Sequence, residues 1–321
     1  MKLNILKCHG SGNDFILIDE NIALNNNIRE TGKADLTRTL CNRDTGIGAD
    51  GVLFYRSSDS ADCKMRMLNP DGREAEMCGN GLRCIGRYCS EKLMKRKVSV
   101  ETMKAILRVA RGKEIFNGIE TFEAEIGPVS LAPDSLPMDS DLETFIDQRI
   151  TEISDSLGFT ALSVPNPHIV TIVDEVDESL IKQCGFVANN SAIFRNGVNV
   201  SFVKSLGQNR IFVVTYERGV GITYSCGTAM SASAYVSAIR NVTDGAKPIS
   251  VYNKGGMVEC DVSSVGTNII LKGNATFVFE AAIDVDEDYR SMGKQVERKL
   301  RLDEIRAYER LELYAKSILA E

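Results

Sequence analysis

Two cysteines carry the clearest chemistry in this chain. Cys78-Gly79-Asn80-Gly81 and Cys226-Gly227-Thr228-Ala229 repeat one local pattern 148 residues apart. The register holds upstream, where Lys64-Met65-Arg66-Met67 lies over Phe212-Val213-Val214-Thr215 and Asn69 falls over Glu217. Farther back, Asn13-Asp14-Phe15 is echoed at a slightly different offset by Asn166-Pro167-His168. Such an echo predicts two copies of one structural unit. Each cysteine precedes a glycine at a predicted helix start, where unpaired backbone N–H groups and the helix dipole favour a thiolate. The same N–H groups, from Gly79, Asn80, Gly227 and Thr228, predict a cradle for a carboxylate. If the copies face each other, two thiols meet across one cleft. A thiolate on one side would remove a proton next to a carboxylate, and a thiol on the other would return one. The cradle would stabilise the charge that spreads onto the carboxylate, and the thiols would titrate as a coupled pair. This scheme calls for no cofactor. The other cysteines, Cys8, Cys41, Cys63, Cys84, Cys89, Cys184 and Cys260, read as small buried hydrophobes.

The elements that must hold these residues alternate between strand and helix. In the first half, strands are predicted at Leu3 to Lys7, Phe15 to Ile18, Val52 to Tyr55 and Lys64 to Leu68. A helical stretch is predicted from Ile28 to Asn42, and a helix after Cys78 on the spacing of Leu82, Ile85 and Tyr88-Cys89. Asn69-Pro70-Asp71-Gly72 is a turn, and Val98 to Val100 and Ile106 to Val109 read as two further strands. The second half predicts a helix from Leu142 to Leu157 and strands at Ile169 to Val173, Val198 to Val203 and Ile211 to Tyr216. An Ala/Ser-rich helix follows Cys226, and three more strands run through Lys272. From Asp284 the chain is highly charged, with Leu300, Ile305, Tyr308, Leu311, Ala315 and Ile318 at helical spacing. The pattern predicts an α/β fold, each long helix held by a sheet or half-barrel.

Composition narrows the partners. The chain has 321 residues, 43% apolar and 26% charged, enough for two domains. A net charge of −6 with no basic run argues against nucleic acid and anionic membrane as partners. No apolar stretch approaches the ~18–20 residues of a membrane span, and no signal-type core precedes Lys7, Cys8 and His9. The expected compartment is the cytosol, and nine cysteines without a Cys-x-x-Cys pair fit its reducing conditions. With only His9 and His168 as histidines, no metal site is expected.

Taken together, the motifs resemble a known family. They are His9-Gly10-Ser11-Gly12-Asn13-Asp14-Phe15, Thr45-Gly46-Ile47-Gly48-Ala49-Asp50-Gly51, and Asn69-Pro70-Asp71-Gly72 before Cys78-Gly79-Asn80-Gly81-Leu82-Arg83-Cys84. Asn166-Pro167-His168, Val198-Asn199-Val200 and Tyr216-Glu217-Arg218-Gly219-Val220-Gly221 before Cys226-Gly227-Thr228 complete the set. Over about residues 1–283 this is similar to diaminopimelate epimerase. The resemblance implies a cofactor-independent epimerase interconverting L,L- and meso-diaminopimelate, on the way to lysine and peptidoglycan. It implies Cys78 and Cys226 as acid/base pair, and Asn13, Asn69, Asn166, Asn199, Glu217 and Arg218 as substrate holders, chiefly of the distal end, with His168 in support. Arg218 makes independent sense, since a guanidinium suits a second carboxylate.

The resemblance also implies two pseudo-symmetric domains with the active site between them. The expected division is 1–120 with a returning strand near 274–283, then 121–273, then an appended helix over 284–321. The expected partner is a small amino acid, and a homodimer is left open. The family usually has Glu where this chain has Ile222, Gly at Ala229, a small residue at Met230 and Gln at Gly51. These departures keep open a racemase of another amino acid, such as histidine, using the same pair. A proline-racemase-like enzyme would have less use for Arg218 and the asparagines. A thiol redox sensor would have no use for an intact anion cradle.

Overall fold

In the computed structural model, which describes residues 1–75, 77–263, 268–293 and 296–320, the alternating apolar residues become strands and the glycine-led segments become helices. The described residues form two compact units, Met1–Ala124 with Gly273–Leu311, and Glu125–Lys272 with Glu312–Glu321.

In the first unit, strand Lys2–Gly10 turns back through Ser11 and Gly12 onto Asn13–Asp19, pairing Gly10 with Asn13. Both turn residues have positive φ, 54° and 77°, which glycine supplies without cost at the second. The other edge of Lys2–Gly10 takes the returning strand Thr276–Asp284, Lys2 opposite Asp284. A helix, α1 (Lys33–Cys41), carries the chain to Gly51–Arg56, which runs parallel to Asn13–Asp19. Leu36 and Leu40 of α1 bury against Ile16, Ile18, Val52 and Phe54, each fully buried side chain contributing ~1.5–3 kcal/mol. Strand Cys63–Leu68 returns antiparallel, and α2 (Gly79–Leu93) crosses to Lys97–Glu101, parallel to it. Residues Gly79 through Arg87 of α2 are buried without a break, so this sheet wraps the helix.

The second unit repeats the plan. Hairpin Gly158–Ser163 and Pro167–Ile172 leads through α3 (Glu178–Asn190) to Asn199–Gly207, parallel to Pro167–Ile172 with His168 opposite Asn199. Arg210–Glu217 returns antiparallel, and α4 (Gly227–Ile239) crosses to the parallel strand Ile249–Asn253. Its Ala and Ser side chains let α4 bury from Gly227 through Ala234. Each unit thus runs hairpin, helix, parallel strand, antiparallel return, cysteine, buried helix. The predicted α/β class and the repeat of one sheet-and-central-helix unit hold.

Three expected helices change. The stretch Ile28 to Asn42 is a short 3-10 turn, Glu30–Gly32, followed by α1, because Gly32 lies against the Tyr289 ring. A Cβ there would sit 2.2 Å from that ring. The helix expected from Leu142 to Leu157 is absent; Phe145, Ile150 and Ile153 instead anchor a looping segment, and Asp147 takes positive φ. The first helix of this unit is α3, which Asp177 starts by accepting from the backbone N–H of Ser179 (2.8 Å) and Leu180 (3.4 Å). The charged tail is not helical from Asp284. A turn in which Asp286 accepts from Arg290 N (2.8 Å) and strand Glu297–Leu300 come first, and α5 spans Leu302–Ala320. Among the described residues no helix is long and apolar enough to cross a membrane.

Candidate active site

Cys78 is the N-cap of α2, with extended backbone (φ −148°, ψ 102°). Its half-buried thiol faces the start of its own helix, and Sγ accepts from Gly81 N at 3.3 Å. Asn80, buried, donates Nδ2 to Asn13 Oδ1 at 3.3 Å, and that oxygen lies 4.0 Å from Cys78 Sγ. Asn13 is aimed by Asp50, whose Oδ2 accepts from Asn13 Nδ2 at 2.8 Å. Cys78, Gly79, Asn80 and Asn13 therefore form one cluster. Asn69 stands at the end of its strand, its backbone closing the turn to Arg73 and Gly72 at 2.8 Å each.

Beneath this cluster lies Arg83, fully buried. Its Nη2 donates to Asn80 Oδ1 (2.9 Å) and Ser11 Oγ (3.3 Å), its Nη1 to Gly79 O (3.4 Å) and its Nε to Asn274 O (3.0 Å). The guanidinium ties the first turn of α2 to the Ser11 turn and to Asn274, the end of strand Ile269–Asn274. Gly10 is required there, since a Cβ would come within 2.8 Å of Nη2. Burial alone would raise the Asp14 carboxyl, but Arg43 and Lys7 together hold it at about 2. Its partner Asp50 is pushed up, by burial first and then by the Asp14 charge.

Cys226 is the N-cap of α4 (φ −122°, ψ 114°), also half-buried, with Sγ 3.5 Å from Thr228 Oγ1. Here the expectation of a depressed thiol pKa fails. Burial pushes the Cys226 thiol well up and the Glu217 carboxylate adds to it; the Thr228 hydroxyl and Ala229 N–H lower it without prevailing. Glu217 Oε1 accepts from Thr223 Oγ1 at 2.5 Å, so the carboxylate is held in the hairpin that leads to the cysteine.

Glu217 is followed by the distal candidates. Arg218 N donates to Asn199 Oδ1 at 3.0 Å, and Arg218 Nη1 donates to Asn196 O at 3.1 Å. His168, buried and opposite Asn199 in the sheet, places Nε2 2.9 Å from Asn166 Oδ1. Burial, then the Arg218 charge, lowers the imidazole to about 3, so it stays neutral and Nε2–H is the donor. That bond leaves the Asn166 amide N–H groups for another partner. Asn166, His168, Asn199, Glu217 and Arg218 thus form a second cluster beside Cys226, Gly227 and Thr228. Among the described residues no three His, Cys, Asp or Glu side chains converge as metal ligands.

Arg83, Asp50, Thr223 and Asn274 were not singled out from sequence. Arg83 had only a weak signal, a cation set among the apolar Leu82, Cys84 and Ile85, since a cation on a helix is ordinarily solvated. The others depend on contacts between distant segments.

The family profile described as diaminopimelate epimerase matches residues 5–115 and 160–278. The diaminopimelate epimerase of Clostridium acetobutylicum is 45% identical over 291 residues, covering 89% of this chain and 87% of that protein. That of Listeria welshimeri is 41% identical over 294 residues, covering 89% and 90%. A Bacillus anthracis phenazine biosynthesis protein of the PhzF family shares the fold, with a TM-score of 0.61 at 16% identity over 89% of this chain and 100% of that one.

Proposed function

The chain belongs to the diaminopimelate epimerase family, and we propose that Cys78 and Cys226 carry out its chemistry. It is an isomerase that interconverts L,L- and meso-diaminopimelate. In our reading, one cysteine as thiolate takes the α-proton into an S–H bond while the C–H electron pair delocalises into the carboxylate. The other thiol delivers its proton to the opposite side of the same carbon, and the thiols end with their roles exchanged. The backbone N–H groups of Gly79, Asn80, Gly227 and Thr228 take the reacting carboxylate and stabilise it more as its charge grows.

The remaining residues divide the substrate between them. Glu217 suits an ammonium and Arg218 the second carboxylate. The amides of Asn13, Asn69, Asn166 and Asn199 complete the distal grip, with His168 orienting Asn166. The observation that carries this reading is that both cysteines occupy the N-cap of a buried helix at the same step of a repeated topology. We expect the reaction to need no cofactor or metal and to run in the cytosol, with a small amino acid as partner.

The test is incubation of reduced, chelator-treated protein with single stereoisomers of diaminopimelate, histidine and proline in deuterated water. Chiral chromatography with mass spectrometry should show inversion of diaminopimelate and deuterium at the inverted carbon. Turnover of histidine instead would overturn the substrate assignment, and inversion without deuterium would overturn the proton-transfer mechanism.

A further inference from the structure

Behind Cys226 lies a polar knot that the catalytic residues do not explain. Asn253, at the end of strand Ile249–Asn253, is buried, as are Ser225 and Met230. Its Nδ2 lies 3.2 Å from Ser225 Oγ and 2.7 Å from Met230 Sδ. Its Oδ1 accepts from Gly255 N at 2.9 Å, and that same N–H lies 3.2 Å from Tyr224 O. Ser225 is the residue before the thiol, and Met230 is one turn after it, its N–H closing on Cys226 O at 2.9 Å. One amide therefore holds the chain on both sides of Cys226. Met230 supplies one of the two anchors.

We propose that Asn253 is a positioning residue for Cys226, fixing the segment Tyr224–Met230 so that the thiol is aimed at the α-carbon. The inference rests on the reading of Cys226 as a proton-transfer residue. Asn253 makes its contacts to Ser225, Met230 and Gly255 and acts through them. Its nearest counterpart in the first unit is Arg83, which fastens the turn behind Cys78 through Gly79 and Asn80. The two units reach the same end with different side chains.

Proton transfer is sensitive to placement, since a displacement of about 1 Å can cost ~10²-fold in rate. Asn253→Ala should therefore lower kcat on diaminopimelate roughly ten- to a hundredfold while KM moves less than about twofold. Alkylation by iodoacetamide, followed by peptide mass spectrometry across pH, should show a changed rate profile for Cys226 and an unchanged one for Cys78. Ser225→Ala should show a smaller loss of the same kind, and the double variant should be no worse than Asn253→Ala, because both cut one connection.

An unchanged kcat in Asn253→Ala, additive losses, or an equal change in Cys78 alkylation would each overturn the proposal. Should Asn253→Ala not fold, Ser225→Ala decides alone: wild-type kcat with wild-type Cys226 alkylation overturns it. The underlying reading fails separately, if Cys226→Ala still inverts diaminopimelate.

Discussion

Cys78 and Cys226 cap corresponding helices in corresponding units, yet different side chains surround them. Beside Cys78 the buried Arg83 guanidinium bonds Gly79 O and Asn80, and Gly81 N donates to the sulfur. Beside Cys226 stands the Glu217 carboxylate, which with burial pushes that thiol up. The repeat dictates the backbone; the side chains differentiate the two halves. In the proposed two-base inversion one cysteine is thiolate and the other thiol at any moment, and burial with the Glu217 carboxylate favours the thiol form at Cys226. The turns differ in the same way: Asn69-Pro70 stands in one unit where Glu217-Arg218 stands in the other.

The largest effect should come from removing either thiol. Acid–base groups contribute ~10²–10⁴-fold, so Cys78→Ala and Cys226→Ala should each remove stereoinversion to that extent. Cys84→Ala and Cys89→Ala, at buried positions farther along α2, should keep most of it. The asymmetry can be separated from the loss: the Cys78→Ala and Cys226→Ala variants, given each stereoisomer in deuterated water, should differ in residual α-hydrogen exchange. Equal residual exchange from both isomers in both variants would break the comparison.

Next is the charged distal grip. A bond to an ionised group contributes ~1.5–3 kcal/mol, so Arg218→Ala should cost about ten- to a hundredfold in kcat/KM for diaminopimelate. A steady-state loss below about threefold would place the second carboxylate elsewhere.

A smaller change should follow from Glu217→Gln. Removing the carboxylate takes away one of the influences that raise the Cys226 thiol, so its pKa falls and its thiolate fraction at neutral pH rises. Alkylation of Cys226 should speed up severalfold, because the thiolate fraction grows faster than its intrinsic nucleophilicity falls, with Cys78 unaffected. Slower alkylation of Cys226 would mean that Glu217 is not what holds it protonated.

Much of this contrast was legible in the sequence, because helix starts and turns are written locally. Cys-Gly steps mark the N-caps, Asn-Pro-Asp-Gly marks the turn, and the period between copies marks the two units. What was not legible needed contacts across long separations. Glu217 and Cys226 were both singled out, but only the folded hairpin brings the carboxylate to bear on the thiol, and there burial and that charge outweigh the Thr228 hydroxyl and the Ala229 N–H. Arg83 is fastened by Asn274, 191 residues away. The missed helix α3 is a different kind of error. Ile181, Cys184, Gly185 and Ala188 have helical spacing and Asp177 caps them, and the repeat places α3 where α1 stands in the first unit. The apolar residues Phe145, Ile150 and Ile153 drew the helix assignment to a segment that packs without one.

That pair of helices supports the finest comparison. The start of α3 is capped by Asp177, which accepts two backbone N–H groups, whereas α1 begins at Gly32 with no side-chain cap. The repeat therefore keeps the helix and varies how its end is satisfied: α1 follows a 3-10 turn wedged against Tyr289, and α3 relies on one carboxylate. Loss of an N-cap side chain costs ~1 kcal/mol. For a unit of this size that corresponds to roughly 2–4 °C in Tm. Asp177→Ala should lower Tm by about that amount, and kcat at 25 °C should not move, since the cap lies at the opposite end of α3 from Asn189, which bonds Val198 N and O beside Asn199. Calorimetry beside steady-state rates checks both. A fall in kcat without a fall in Tm would show that α3 reaches the chemistry, and the second unit would then depend on its peripheral helix in a way that capping alone does not explain.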